Sequence, residues 1–232
     1  MSAVKGIIFD KDGTLFDFAA TWEAWAQAFL LRACNGDRTR ATQAGAVIGF
    51  DLQTRSFSHD SIVIAGTAGE VATALAPHFP DMTKPALLAM LNEEAEKAPQ
   101  AEAVPLTPLL TALRDRGLKL GVATNDAQAP ALAHLTGAGV ASYFDFIAGF
   151  DSGHGGKPAP GQLLAFCAAT GLEPQAVVMV GDSTHDLHAG RAAGMRTVAV
   201  LTGLAMAETL APLADVVLAD IGHLPAWLDD QA

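Results

Sequence analysis

Along the chain, short unbroken apolar runs recur between longer stretches of mixed polarity. The clearest are residues 4–9 (VKGIIF), 118–123 (LKLGVA), 176–180 (AVVMV), 196–200 (RTVAV) and 214–218 (ADVVL), with a weaker one at 144–149 (FDFIAG). A strand covered on one face alternates apolar and polar residues, whereas one covered on both faces reads as a continuous run. These runs are therefore predicted as parallel strands. Helix-like segments between them, such as 127–136, make repeated strand–helix–strand units. The expected fold is a Rossmann-like α/β core, a parallel sheet with helices on both faces.

The gap between the first and second runs is too long for one crossover helix, and its pattern changes. Phe18, Trp22, Trp25 and Phe29 recur at helical spacing, and 83–97 forms another amphipathic segment. An apolar stripe at this spacing faces a core, so the Trp pair is read as packing rather than as a stacking platform for a ligand. The expected organisation is an all-helical insert at 18–100 within a core made of 1–17 and 101–232. Its crossing points fall near 16–19 and 99–105, the second marked by Pro99 and Pro105.

Half of the 232 residues are apolar, as in a globular protein. Fourteen Lys and Arg stand against 25 Asp and Glu, a formal charge of −11. That balance argues against nucleic acid and anionic membrane as partners, since both need basic patches. It leaves room for a small anionic substrate, because a metal ion and a few donors reverse the field locally. Cys34 and Cys167 lie far apart and outside any CxxC pattern, so they read as reduced thiols. With neither a leader pattern nor a long apolar segment, the expectation is a soluble, cytoplasmic protein.

The informative residues follow the strands. The first run ends in Asp10, Lys11, Asp12 and Gly13; the second in Thr124, Asn125 and Asp126. Lys157 stands in the Gly/Pro-rich loop GHGGKPAPG, and Asp182 follows the run at 176–180, with Asp186 four residues on. In open α/β sheets, ligands bind beyond the carboxyl ends of the strands, so these distant residues are expected to converge. Side chains two apart on an extended segment point the same way, which lets Asp10 and Asp12 face one ligand. One carboxylate can attack phosphorus while the other gives and takes the proton. Asp10 and Asp182, with carbonyl and water oxygens, suit Mg²⁺. Thr124 and Lys157 suit the oxygens of a transferring phosphoryl group.

In that order, DKDGTLFD, VATN, GGKPAPG and GDSTHDLHAG resemble the four motifs of the haloacid dehalogenase superfamily, in its phosphatase branch. The likeness is greatest to phosphoglycolate phosphatases and related small-molecule phosphatases with a helical cap. It implies Asp10 as nucleophile and metal ligand, and Asp12 as general acid/base with its backbone carbonyl on the metal. Thr124, Asn125 and Lys157 then bind phosphate, Asp182 supplies the other metal carboxylate, and Asp186 supports it. The insert sits where this branch carries its cap. Dehalogenases of the superfamily lack the second Asp, so Asp12 favours phosphate chemistry. Lys11 departs from the family pattern, which has an apolar residue there; an acid nearby is its expected partner.

Some residues have plainer readings. Asp186 fits the first turn of a helix capped by Ser183 or Thr184, a role compatible with the catalytic one. His185 and His188 read as solvent-facing or capping, and His154 as a surface residue. In the cap, Arg38, Arg40, Arg55 and His59 are candidates for a second anionic group such as a carboxylate, with Arg55 preferred. The expected activity is Mg²⁺-dependent hydrolysis of a small phosphate monoester, 2-phosphoglycolate or similar, by a monomer or homodimer. The alternatives are a phosphomutase of the β-phosphoglucomutase type and a catalytically silent binding protein. Phosphonate cleavage would require a cap lysine, and 18–60 contains none.

Overall fold

The computed structural model describes residues 3–58, 60–64 and 66–230. In chain order its strands and α-helices begin with β1 (Gly6–Phe9), α1 (Phe18–Ala33), α2 (Arg38–Val47), β2 (Phe50–Asp51) and β3 (Ser56–Phe57). Next come α3 (Ala68–Leu75), α4 (Lys84–Ala95), α5 (Leu106–Asp115), β4 (Lys119–Ala123), α6 (Gln128–Gly137) and β5 (Phe146–Ala148). The chain finishes with α7 (Gly161–Thr170), β6 (Val177–Gly181), α8 (Thr184–Ala192), β7 (Arg196–Val200), α9 (Ala207–Leu210), β8 (Val216–Leu218) and α10 (Leu224–Asp229).

Six strands form one parallel sheet in the order β5-β4-β1-β6-β7-β8. All six apolar runs are strands; 196–200 matches β7 end to end, and the other five are trimmed or shifted by a residue or two. β1 lies at the centre, with Ile7 beside Leu120 on one side and Val178 on the other. Ile7, Phe9, Leu120 and Val178 pack toward Leu110 and Leu113 of α5, while Ile8 and Met179 pack toward Phe166 of α7. Both faces are thus covered, which explains why the strands read as unbroken apolar runs. Burying one such side chain contributes roughly 1.5–3 kcal/mol.

The insert has a core of its own. Phe18, Trp22, Trp25, Phe29 and Leu30 of α1 pack with Leu75, Leu87 and Leu91. Trp25 and Phe29 are stacked at 5.8 Å between ring centroids. One correction to the all-helical expectation is the short antiparallel hairpin β2–β3. Asp51 causes it locally, since its carboxylate accepts from the backbone N–H groups of Gln53 and Thr54 and folds the turn. The rings of Phe50 and Phe57, 4.9 Å apart, then hold the two strands. The two chain segments joining insert and core run side by side. Asp17 N–H donates to Ala101 O at 2.8 Å, and Ala103 N–H to Leu15 O at 3.0 Å. Among the described residues, no helix is long and apolar enough to cross a membrane.

Candidate active site

Asp10, Thr124 and Asp182 follow directly on β1, β4 and β6, three adjacent interior strands. The parallel register therefore brings them to one end of the sheet. Asp10 N–H continues the ladder by donating to Val180 O at 2.8 Å. Past that bond the chain turns at Gly13, whose φ of +79° lies in the left-handed region. A Cβ at Gly13 or at Gly203 would run into the Asp182 carboxylate, so both glycines keep space around that acid.

Lys157 ties the cluster together. Its ammonium donates to Asp10 Oδ1 and to Asp186 Oδ1, both at 2.6 Å, with the side chain 3% exposed. Asn125 holds the lysine's backbone from both sides, donating to Lys157 O at 2.9 Å and accepting from Lys157 N–H at 2.8 Å. Asn125 thus positions the lysine. Asp186 does two jobs. Its Oδ2 completes a capping box with Ser183 at the start of α8, while its Oδ1 receives Lys157. Thr124 Oγ1 accepts from Asp126 N–H at 3.0 Å, fixing the turn after β4.

Carboxylate oxygens of Asp10, Asp182 and Asp186 lie within 4.8 Å of one another, all three residues buried. Burial, with Asp186 and Asp12 nearby, lifts the Asp10 carboxyl to about 7 despite Lys157. Burial and the charges of Asp10 and Asp186 likewise push Asp182 well up. For Lys157, burial opposes the charge, but Asp10 and Asp186 outweigh it and hold the ammonium above the usual lysine range.

Lys11, the departure noted above, is fully buried. Its ammonium donates to Asp12 Oδ1 at 2.7 Å, lies 3.3 Å from Asp126 Oδ2, and stands 5.5 Å over the Trp22 ring. It is also 2.9 Å from His134 Nδ1. An ammonium only donates, so Nδ1 is the acceptor and the ring proton sits on Nε2. That Nε2–H donates to Ala95 O, 2.7 Å away at the end of α4. His134 is accordingly held neutral, its pKa lowered to about 4 by burial and by Lys11. Burial raises Asp126 to about 6 in spite of Lys11. The acid partner expected for Lys11 is thus Asp12 itself, with Asp126. The sequence reading places Asp126 at its strand end but gives it no role there; His134 carried no sequence signal.

One cavity collects most of the candidates: Asp10, Asp12, Thr124, Asn125, Lys157 and Asp186 line it. Asp182 is not in its lining but reaches the cluster from beside it. His185, read from sequence as solvent-facing or capping, is half-buried and lines the cavity as well, because the first turn of α8 points that way. His188 and His154 are exposed, as read. Arg55 sits in the β2–β3 turn with φ +59°, exposed and outside the cavity lining. Arg38 and Arg40 are exposed on α2; His59 lies outside the described residues.

The family model for haloacid dehalogenase-like hydrolases matches residues 4–194. The chain belongs to the haloacid dehalogenase-like hydrolases. Among curated relatives, this hydrolase is 30% identical over 216 residues to the probable phosphatase IndB of Dickeya dadantii, covering 92% of this chain and 88% of that one. It is 29% identical to the N-acetylmuramic acid 6-phosphate phosphatase of Pseudomonas aeruginosa, covering 86% and 83%. A phosphoglycolate phosphatase of Rhodospirillum rubrum is 37% identical, but over 120 residues, half of its length. In fold, the hydrolase resembles CbbY from Rhodobacter sphaeroides, with a TM-score of 0.74, 20% identity and coverage of 97% and 99%.

Proposed function

We propose that this hydrolase is a Mg²⁺-dependent phosphatase that cleaves a small phosphate monoester through a phosphoaspartyl intermediate on Asp10. The observation that carries the reading is the junction of Asp10, Asp12 and Lys157 on one cavity wall, with Asp182 and Asp186 beside them. The Lys157 ammonium reaches two of the three buried carboxylates there, Asp10 and Asp186, while the third, Asp182, accepts a long side-chain hydrogen bond from Thr14, at 3.4 Å. A hard divalent cation fits that excess of oxygen donors. Asp10, Asp182 and the backbone carbonyl of Asp12 would hold it, with Asp186 in support. When bound, Mg²⁺ supplies a Lewis acid that withdraws charge from the phosphoryl oxygens and screens Asp10 from the dianion.

The residues then divide the work. Asp10 attacks phosphorus, the bond to the ester oxygen breaks, and Asp12 protonates the leaving oxygen. Asp12 next takes a proton from water as that water attacks the phosphorus of the acyl phosphate, which releases phosphate and restores Asp10. Lys157 offsets charge on the phosphoryl oxygens, and Thr124 donates to one of them. Lys11 holds the Asp12 carboxylate in place. Residues 18–100 form the cap, 1–17 and 101–232 the catalytic core, and closure excludes water. Buried free Cys34 and Cys167 support a reducing, cytoplasmic setting, and the working form is a monomer or homodimer. The relatives' names make 2-phosphoglycolate the first ester to try.

The test is phosphate release from a panel of small esters, with and without Mg²⁺, for wild type and Asp10→Asn. Mg²⁺-dependent turnover that vanishes in the variant is the expected result. Transfer between sugar phosphates without net release would replace this reading with a mutase.

A further inference from the structure

The cavity has two unlike sides. Opposite the catalytic carboxylates, the cap presents Phe18, Trp22 and Trp25 from α1, Ile64 from the loop before α3, Val71 from α3 and Leu91 from α4. The Trp22 and Trp25 rings meet edge to face at 5.1 Å, and Trp25 Nε1–H is already committed to Leu91 O at 3.0 Å. Apart from the indole N–H groups of Trp22 and Trp25, Asn92 is the one polar side chain that the described cap residues bring to the cavity, and it is uncharged.

Among the described residues, the cations of the cap are elsewhere. Arg32 is paired with Glu93 and Glu94, while Arg38, Arg40, Arg55, Lys84 and Lys97 are exposed and outside the lining. On the core side, Lys157 faces Asp10 and Asp186, and Lys11 is committed to Asp12 and Asp126. Among the described residues, a second anionic group on the substrate would therefore meet aromatic and aliphatic carbon and Asn92 on the cap side. On the core side it would meet the carboxylates, with Asn125, Ser183 and His185 among the uncharged polar groups beside them. Taking a carboxylate out of water with no partner is strongly unfavourable, whereas a flat apolar group gains from the same wall.

We infer that the ester this site accepts carries an uncharged organic group, apolar or aromatic on the side that meets the cap. The inference rests on the phosphatase reading and narrows it: among the described residues, the carboxylate of 2-phosphoglycolate has no cationic partner on this wall.

The test compares kcat/KM for benzyl phosphate and para-carboxybenzyl phosphate, which share a ring and a reacting bond and differ in charge. 2-Phosphoglycolate and para-nitrophenyl phosphate are run beside them. The benzyl ester should exceed both carboxylated esters by about tenfold or more. Asn92→Arg, which sets a cation on the wall, should narrow that gap. Equal or faster turnover of the carboxylated esters by the wild type overturns the inference, and if para-nitrophenyl phosphate is still hydrolysed the phosphatase reading stands. Silence from all four esters with Mg²⁺ present overturns both.

Discussion

The two sides of the cavity solve different physical problems. The core side keeps five carboxylates (Asp10, Asp12, Asp126, Asp182 and Asp186) close together with two lysines threaded among them. Most of these groups are held by hydrogen bonds or ion pairs to their neighbours. The cap side is aromatic and aliphatic, and its polar atoms are largely committed to its own helices. On the proposed reading, chemistry depends on one side and selection among esters on the other. Changes on the core side should slow every ester alike, while changes on the cap side should reorder them.

The largest effect is expected from Asp10→Asn, which should reduce phosphate release from every ester by a factor on the order of 1,000 or more. Lys157→Met comes next. Loss of a preorganised cation should lower kcat about 100-fold or more, again regardless of the ester. Lys11→Met keeps the stem but leaves buried Asp126 and half-buried Asp12 without their partner. It should destabilise the fold by roughly 3–5 kcal/mol in denaturant titration. At temperatures where it remains folded, kcat should drop at least about tenfold with KM little changed. Ile64→Ser should have the smallest effect, lowering kcat/KM for benzyl phosphate by about fivefold while affecting methyl phosphate less. A cap variant that slows all esters equally would break the division between the two sides.

The carboxylates also set a pH dependence. Asp10 and Asp126 are raised from an ordinary 3.8 to about 7 and about 6, and Asp182 is raised as well. The folded state thus holds these protons more tightly than the unfolded chain. The stability they contribute is present in acid and is lost as pH climbs from about 4 through about 7. His134 acts the other way, its contribution present above its ordinary 6.5 and lost as pH falls toward about 4. Three groups against one should make the metal-free protein melt at lower temperature near about pH 8 than near about pH 5. Mg²⁺ should reduce that difference, with its effect concentrated at the higher pH. Thermal melts at both pH values, with and without Mg²⁺, read this directly.

The core side was largely legible in the sequence, because chemistry there demands particular residue types at strand ends. Asp10, Thr124 and Asp182 follow β1, β4 and β6, and Lys157 lies in its Gly/Pro-rich loop, as read. The sheet was legible for a related reason, since strands covered on both faces announce themselves as apolar runs. The cap side was legible only as packing. Trp22 and Trp25 do pack a core, but they also wall the cavity, and helical spacing cannot separate the two roles. The link from Lys11 through His134 to Ala95 was hidden because its members are distant in sequence and meet only through tertiary packing. The β2–β3 hairpin was missed because two-residue strands are too short to show a period.

The most direct test is to trap the phosphoryl group on the protein. Enzyme in excess over a phosphorus-labelled ester is quenched in acid within one turnover, digested, and the labelled peptide located. We expect label on the peptide carrying Asp10, absent from Asp10→Asn and discharged as phosphate when the unquenched sample is left to turn over. Phosphate that is released without ever labelling that peptide would contradict a phosphoaspartyl route.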